Sequence, residues 1–261
     1  MYMEKHKFLL DLKLINVDIN EIMNLCKKHN ECFVVLKDKL DYVCDFILDS
    51  SNDLKWNKYV SKEDYDTLVK EVRESNSRAL GWVEKCQARS ILNNNLDSFK
   101  YSDELRLAVE NEILEFDINN KSKILFIGSG AMPITAFTIN DEVNSEVVCL
   151  DVDNEALELS EKLSDKYGIK NISFSSENIS DFDLNSFSHI IIASLVEPKL
   201  DMAKYLLENI DGDTKVILRY GNKLKSIFNY PLNIKEIKNC QKTIIKDNKY
   251  IYESVVLEKT L

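Results

Sequence analysis

Gly128 and Gly130 follow one apolar run, and Asp151 ends a second apolar run further along the chain. An apolar run that ends in two glycines indicates a buried parallel strand entering a tight turn, where missing Cβ atoms let a ligand approach the backbone. Asp151 comes about 20 residues later, where a carboxylate can accept both hydroxyl protons of a ribose. This spacing predicts a site for a cofactor that contains a nucleoside.

The third position of the glycine pattern holds Pro133, where chains that bind dinucleotides prefer glycine or alanine. Proline is tolerated in the first turn of a helix, so a helix can still begin there. The proline argues against NAD as the ligand. The alternative interpretation is a purely structural corner of strand, turn and helix.

The first half of the chain lacks the residues that usually separate strands. No proline precedes Pro133, and Gly81 is the only glycine before Gly128. Apolar side chains recur at helical intervals from residue 65 to residue 91. We expect a helical bundle from about residue 4 to residue 118, with loops at residues 50–53 and 93–95.

From residue 119 onward, short β-rich runs alternate with helical segments. The predicted strands lie at residues 124–127, 147–150, 172–175, 189–193, 216–219, 234–237 and 251–257. Helices between strands imply a parallel sheet, whereas the last two runs are predicted to pair as an antiparallel hairpin. The predicted fold class is α/β, a Rossmann-like domain of the class I methyltransferase type (residues 119–261) after an all-α helical bundle domain (residues 1–118), which we expect to close over the cofactor as a substrate lid.

In a sheet of this kind, ligands bind beyond the carboxyl ends of the strands. The side-chain carbonyl of Asn178 could accept a hydrogen bond from an adenine amino group, whereas Asp153 is more simply explained as a turn residue. Together the candidates resemble a pocket for S-adenosylmethionine. The candidate cofactor residues are Gly128, Ser129, Gly130, Pro133, Asp151, Val152, Asn178, Ile179, Ser194 and Leu195.

Residues 128–135, Gly-Ser-Gly-Ala-Met-Pro-Ile-Thr, resemble the Gly-Ser-Gly-x-x-Pro-x-Thr signature of nicotianamine synthases. Further segments between residues 81 and 232 are similar to the same family, although Lys100 replaces a proline in the segment that contains Tyr101. The short, acidic chain is most similar to the bacterial branch that makes staphylopine-type metallophores.

This resemblance implies an enzyme that transfers one 2-aminobutanoate group from S-adenosylmethionine to the amine of an amino acid and releases methylthioadenosine. The acceptor in the staphylopine pathway is D-histidine, and related branches use L-histidine or aminobutanoate itself. An opine dehydrogenase is the implied pathway partner. An ordinary small-molecule methyltransferase and a non-catalytic S-adenosylmethionine sensor are the alternatives, and either a monomer or a homodimer is compatible with the sequence.

The implied reaction needs a group that removes a proton from the acceptor amine. Glu84 is the first candidate, because it lies on the inward stripe of its predicted helix and resembles a glutamate in the helical domain of the family. A surface pair with Lys85 or Arg89 is the alternative. Glu112 is either a second catalytic candidate or an interdomain ion-pair partner.

Tyr101 and Arg219 are the candidates for orienting carboxylates. Tyr101 precedes Ser102, which is predicted to cap a helix, so its phenol could face the glycine turn as a third catalytic group. A hydrophobic staple is its alternative role. Arg219 ends the fifth predicted strand, and its planar fork suits a substrate carboxylate, although a solvated salt bridge explains it equally well.

The composition argues against several partners. A formal net charge of −10 disfavours nucleic acid, and no apolar stretch is long enough to cross a bilayer. The amino terminus lacks a signal-peptide pattern, so we expect a soluble, cytoplasmic protein. The three histidines lack metal-ligand spacing and the six cysteines are scattered, so we expect neither a metal nor disulfides.

Overall fold

A computed structural model describes residues 2–29, 32–95, 100–245 and 249–260. A π-helical turn, Tyr65–Val69, joins two of the helices in the first part of the chain. These helices are α1 (Tyr2–Cys26), α2 (Phe33–Leu48), α3 (Ser50–Tyr59), α4 (Lys62–Asp64), α5 (Lys70–Leu92) and α6 (Lys100–Glu115). The helical architecture predicted for the first half is therefore confirmed.

Each long helix of this part buries one face. In α1, the buried residues Phe8, Leu12, Ile15 and Ile19 recur every three or four positions, so they lie on the same side of the helix. This side packs against α2 and α5. Helix α5 is therefore held from behind by α1 and α2, which leaves its other face free to form the wall of a site.

The loop predicted at residues 50–53 is wrong, because these residues form the first turn of α3. Asp49 caps the helix, and its carboxylate accepts a hydrogen bond from the backbone N–H of Ser51 at 2.8 Å. Short polar side chains favour loops and helix starts through the same local hydrogen bonds, so their composition does not separate the two. At residues 93–95 the structure has the predicted turn after α5.

The second part of the chain is a seven-stranded sheet with the order β3-β2-β1-β4-β5-β7-β6. Strands β1 to β5 are parallel, and β7 runs antiparallel to both β5 and β6. The strands are β1 (Lys123–Ile127), β2 (Glu146–Leu150), β3 (Ile172–Ser175), β4 (His189–Ile192), β5 (Lys215–Tyr220), β6 (Cys240–Ile245) and β7 (Glu253–Lys259). Helices α7 (Ile134–Val143), α8 (Asn154–Tyr167) and α9 (Lys199–Asn209) follow β1, β2 and β4. The predicted fold class is confirmed.

The strand predicted at residues 234–237 is wrong. Ile234–Glu236 is a turn of 3-10 helix, and the partner of β7 in the antiparallel hairpin is β6. Strand β6 is the edge of the sheet, and its side chains are exposed or only partly buried. A solvated edge strand has little apolar pattern, which is why the sequence placed the hairpin too early.

One apolar core extends through both parts of the chain. Ile15 in α1, Val83 in α5 and Phe116 after α6 belong to the same buried cluster as Phe126 in β1 and Ile217 in β5. The boundary predicted between residues 118 and 119 lies between α6 and β1. The helical and α/β parts therefore share their interior.

Two general features accompany this fold. Within the described ranges, no helix is both long and apolar enough to cross a membrane. The six cysteines all lie in these ranges, and each of them is a free thiol.

Candidate functional site

A cavity of about 550 Å³ lies between α5 and the carboxyl ends of the parallel strands. Its volume is within the range of roughly 300–1,000 Å³ that is usual for small-molecule sites. It opens where β1 lies between β2 and β4, at the point where the strand order reverses. Twelve of the predicted site residues contribute to its wall: Glu84, Tyr101, Gly128, Ser129, Gly130, Asp151, Val152, Asn178, Ile179, Ser194, Leu195 and Arg219.

The turn after β1 is fixed by its glycines. Gly128 and Gly130 have φ values of +81° and +68°, which glycine adopts without the steric penalty of a Cβ atom. A Cβ atom on Gly128 would also overlap the Cγ2 atom of Val196 in the loop after β4. The turn is thus shaped both by its own backbone and by a neighbouring loop, and the missing Cβ atoms let a ligand approach its backbone closely.

Asp151 binds the backbone of this turn. Its Oδ2 atom accepts a hydrogen bond from the N–H of Gly130 at 2.8 Å, and its Oδ1 atom accepts one from the N–H of Asp153 at 3.0 Å. A carboxylate has about four acceptor positions, so two remain for the hydroxyl groups of a ribose. Asp151, the residue predicted to bind the ribose, therefore also holds the glycine turn in place.

Asp153 has the structural role that was preferred for it. It caps α8, accepting hydrogen bonds from the backbone N–H groups of Glu155 and Ala156. It also pairs with Lys85 of α5 at 2.6 Å, and Glu155 pairs with both Lys85 and Arg89. The surface pair considered for Glu84 is therefore absent, because Lys85 and Arg89 bind acids of α8 instead.

Glu84 faces the glycine turn from the opposite side of the cavity. A Cβ atom on Gly130 would lie 2.7 Å from the Oε2 atom of Glu84, so the carboxyl group rests almost against the glycine. Burial and the negative charge of Asp151 raise the pKa of Glu84 to about 8. Among the described residues, Glu84 has no ion-pair partner. Such a carboxyl group can exchange a proton near neutral pH.

Tyr101 lines the same cavity, but its helix begins earlier than predicted. Helix α6 already includes Lys100, so Ser102 lies within its first turn and does not cap it. The ring of Tyr101 is buried, and its centroid lies 5.6 Å from that of Phe228. Burial, and then the nearby charge of Glu84, raise the pKa of the phenol, so it is a hydrogen-bond donor at neutral pH. Phe99, which shares the family-like segment, lies outside the described residues.

Glu112 is an ion-pair partner between the two parts of the chain and lies behind the cavity wall. Its carboxylate accepts hydrogen bonds from Arg219 Nη2 at 2.6 Å and from Arg219 Nε at 3.1 Å, and a further one from the Ser254 hydroxyl. Both side chains of the ion pair are buried. The catalytic role predicted for Glu112 is not supported, because both of its oxygens are occupied by the pair and by Ser254.

Arg219 reaches the cavity, but several N–H groups of its guanidinium already donate hydrogen bonds within the protein. Besides its bonds to Glu112, its Nη1 atom donates to the Thr135 hydroxyl at 2.7 Å. A guanidinium has five N–H groups, so donors remain that can bind a substrate from the cavity side. Its predicted substrate contact stays a prediction, now with Glu112 as the group that orients it.

The other predicted cofactor residues lie around the rim. Val152 is 97% exposed, and the backbone N–H of Asn178 donates to Asp181 at 3.2 Å. Pro133 precedes the first residue of α7 and does not line the cavity, so it shapes the turn rather than a contact surface. Ser194 and Leu195 belong to the loop after β4, directly opposite the glycine turn.

Lys199 and Tyr252 are among the residues at or near the cavity that were not predicted as site residues. Lys199 is buried, its ammonium donates to the carbonyl of Ala193 at 2.7 Å, and burial lowers its pKa to about 7. Tyr252 lines the cavity, and its ring lies 5.1 Å from the Arg219 guanidinium. Lys199 lies within the region of residues 81–232 that is similar to the family but has no motif of its own, and Tyr252 lies in a predicted strand, where no spacing marks it as functional.

Metal ligands do not converge in the described part of the chain. No group of three or more histidine, cysteine, aspartate or glutamate side chains there is arranged to hold an ion. His189 instead bonds the carbonyl of Phe116 at 3.1 Å, and burial lowers its pKa. It is a core histidine that joins α6 to β4.

A comparison with protein families gives one match of direct relevance. The family model described as "Nicotianamine synthase protein" matches residues 63–261. The chain belongs to the nicotianamine synthase family. The resemblance inferred from the glycine turn and its following segments is therefore confirmed.

Curated relatives extend the match to nearly the whole chain. The protein named L-histidine 2-aminobutanoyltransferase from Pseudomonas aeruginosa is 27% identical over 230 residues, covering 87% of this chain and 88% of that protein. A protein of the same name from Yersinia pestis is 26% identical over 263 residues, covering 97% and 96% of the two chains. The match to these relatives covers both the helical and the α/β parts of the chain.

Solved structures of the nicotianamine synthase MtNAS have the same fold. A mutant of MtNAS superimposes with a TM-score of 0.81 at 17% identity, over 97% of this chain and 98% of that one. MtNAS in complex with MTA and tNA superimposes with a TM-score of 0.78 at 18% identity, over 94% and 97% of the two chains. The arrangement of a helical part on a Rossmann-like sheet is thus shared with this family.

Proposed function

We propose that the protein transfers 2-aminobutanoate from S-adenosylmethionine to the amine of histidine and releases methylthioadenosine. The observation that carries this proposal is the position of Glu84, a carboxyl group from the helical part that rests against the glycine turn of the nucleoside site. The S-adenosylmethionine site of an ordinary methyltransferase needs only the glycine turn and the acidic residue after β2, here Asp151. A base that faces them from a second part of the chain suits an acceptor whose amine must be deprotonated.

The names of the relatives support the substrates. The curated relatives are named for aminobutanoyl transfer to L-histidine, and MtNAS, which shares the fold, has been solved in complex with S-adenosylmethionine. The names favour L-histidine, whereas the sequence resemblance to the staphylopine branch implied D-histidine. We therefore propose histidine as the acceptor and treat its chirality as the first variable to test.

The cavity offers a suitable group for each part of the donor. The glycine turn would let the nucleoside approach the backbone closely, and Asp151 would accept hydrogen bonds from the ribose hydroxyls. Tyr101 and Arg219 would donate hydrogen bonds to the carboxylate of the donor's amino-acid arm. S-adenosylmethionine would supply an electrophilic methylene carbon attached to a positively charged sulfur.

The role of Glu84 follows from the proton balance. The acceptor nitrogen forms a bond to the methylene carbon, and the carbon–sulfur bond breaks with its electron pair left on sulfur, which becomes a neutral thioether. The nitrogen can attack only as a free amine, so its ammonium proton must first leave. Glu84 accepts this proton. Because its pKa is raised to about 8, Glu84 is a stronger base than an ordinary carboxylate, and the proton transfer from the ammonium group costs correspondingly less.

The test is to incubate the purified protein with S-adenosylmethionine and separately with L-histidine, D-histidine and 2-aminobutanoate. The nucleoside and the adduct are then identified by mass. We expect methylthioadenosine and a histidine adduct enlarged by one aminobutanoyl group. Release of S-adenosylhomocysteine would instead establish methyl transfer, and donor that binds without being consumed by any acceptor would establish a sensor.

A further inference from the structure

Gly81 lies in the interior of α5, on the face that carries Glu84. Ser77, Gly81 and Glu84 are spaced by four and three residues, so they are neighbours along one side of the helix, and all three line the cavity. Gly81 is exposed, whereas the residues on either side of it, Leu80 and Trp82, are buried or partly buried. The helix therefore presents bare backbone to the cavity at this position.

Among the residues that the structure describes, no contact explains a glycine at position 81. A Cβ atom built there has no atom within 4 Å, in contrast to Gly130, where Glu84 stands in the way. Glycine is the least favourable residue in a helix interior apart from proline, so alanine would stabilise α5. The backbone angle of Gly81 is not of the positive kind that requires glycine. The space beside Gly81 is therefore empty of protein although filling it would favour the helix.

The position along α5 indicates which ligand occupies this space. Lys85 pairs with Asp153, which follows the ribose-binding residue Asp151, so this end of α5 covers the nucleoside. Glu84 covers the glycine turn. Gly81 lies one turn further away from the nucleoside, about 4.5 Å along the helix axis from Glu84. A ligand above Gly81 would thus lie next to the Glu84 carboxyl group, on the side of Glu84 that faces away from the ribose.

We propose that Gly81 is a specificity-determining residue that leaves room for the acceptor amino acid beside Glu84. This inference rests on the proposed function and names the part of the cavity where the acceptor is bound. The absent side chain lets the acceptor lie against the helix backbone, with its amine within reach of the Glu84 carboxyl. Any side chain at residue 81 would occupy part of that space.

The test compares Gly81→Ala and Gly81→Leu with the unchanged enzyme. Three quantities are measured: the thermal midpoint, the Kd for S-adenosylmethionine by calorimetry, and the KM for histidine. We expect both variants to unfold about 2–4 °C higher, because alanine and leucine favour the helix. The donor Kd should stay within about twofold, while the KM for histidine should rise about tenfold in Gly81→Ala and further in Gly81→Leu.

A control variant separates lost space from added stability. Asn24 is exposed on α1 and does not line the cavity, so Asn24→Ala should raise the thermal midpoint without changing the KM for histidine. An equal rise of KM in this control would overturn the role of Gly81. So would a lower thermal midpoint in Gly81→Ala, an unchanged KM for histidine, or a donor Kd weakened as strongly as the acceptor KM.

The same measurements distinguish this inference from the proposed function. If the unchanged enzyme forms no histidine adduct, the proposed function fails. If it forms the adduct and Gly81→Ala retains the same KM for histidine, only the acceptor position beside Gly81 fails.

Discussion

The carboxyl group of Glu84 is protonated in most free molecules at neutral pH, because burial and the charge of Asp151 raise its pKa to about 8. A positive charge in the cavity favours the ionised form, and both proposed substrates carry one. If the proposed function holds, substrate binding therefore shifts Glu84 toward the ionised form that acts as the base.

We expect kcat/KM to rise with pH and to reach half of its maximum near pH 8, since this parameter reports ionisation of the free enzyme and Glu84 acts when deprotonated. Asp151→Asn removes one of the two causes of the raised pKa, so its midpoint should lie at lower pH. The pH midpoints of the unchanged enzyme and of Asp151→Asn are measured from the rates of methylthioadenosine release across neutral and alkaline pH. The free acceptor titrates identically with both enzymes, so an unchanged midpoint in Asp151→Asn would contradict the coupling.

Glu84→Gln should retain donor binding and lose turnover by about 100-fold or more, the usual contribution of a general base. It should also change stability with a definite sign. The folded-state pKa of about 8 exceeds the ordinary value of 4.5, so the native protein loses stability as pH rises between these values. Glutamine does not ionise, so Glu84→Gln does not lose stability in this way. Because water in the cavity weakens the effect, we expect the variant to be more stable than the unchanged protein by roughly 1–3 kcal/mol at alkaline pH, with little difference at acidic pH.

Denaturant unfolding at the two pH values measures this gain, and turnover is followed by product mass. Glu71→Gln is the matched control, because Glu71 is exposed at the start of the same helix. It should leave turnover and the pH dependence of stability unchanged. Normal turnover in Glu84→Gln would show that another group accepts the proton.

Part of the site could be predicted from individual residues. Asp151 follows from its spacing to the glycines, and Glu84 follows from the apolar stripe of its helix. The partners of Lys85 and Arg89 could not be predicted, because they lie on α8, 66 and 70 residues away, and local spacing offered Glu84 instead. Tyr252 is likewise brought to the cavity only by the pairing of β7 with β5.

The site residues lie at the ends of strands β1 and β2 and along one face of helix α5. The turn between β1 and α7 contains the two glycines, Asp151 directly follows β2, and Glu84 lies on one face of α5. Strands β1, β2, β4 and β5 could be predicted because strands of a parallel sheet that are buried on both faces are largely apolar. The run at 234–237 has only two apolar residues, Ile234 and Ile237, and is too short to distinguish a strand from a turn of 3-10 helix.

Gly128→Ala should lose donor binding by at least about tenfold, because the φ of +81° and the overlap with Val196 both force the turn to move. Gly168→Ala is the matched control. Gly168 has a similar φ, +70°, but a Cβ atom there meets nothing within 4 Å. It should cost about 1–2 kcal/mol of stability and leave donor binding intact. Calorimetry and thermal unfolding give both quantities, and equal donor affinity in the two variants would refute this account of the turn.

The shared core and the pair between Glu112 and Arg219 join the two parts of the chain. The pair links α6 to β5, and Ser254 extends it to β7. Neither the pair nor its burial could be derived from the sequence, because the two residues are 107 positions apart and either one also suited a substrate contact. Fold class and the order of the elements could be predicted, whereas this long-range pairing could not.

Glu112→Ala should destabilise the protein by about 3–5 kcal/mol, because it leaves the Arg219 charge buried and uncompensated. The double variant Glu112→Met with Arg219→Met removes both charges and should recover most of this loss. Glu110→Ala, which breaks an exposed pair with Arg106 on the same helix, should cost less than about 1 kcal/mol. Denaturant unfolding measures all three, and a double variant no more stable than Glu112→Ala would argue against an electrostatic cause.

The uninterrupted interior also constrains how small molecules enter and leave. Swinging the helices away from the sheet as a rigid hinged cover would expose Val83 and Phe126 to water together and would break the pair of Glu112 and Arg219. Such an opening is therefore costly in free energy, and we expect small molecules to enter and leave on the exposed side of the cavity, where Val152 and Asn178 lie. Both walls of the cavity then stay in place during turnover.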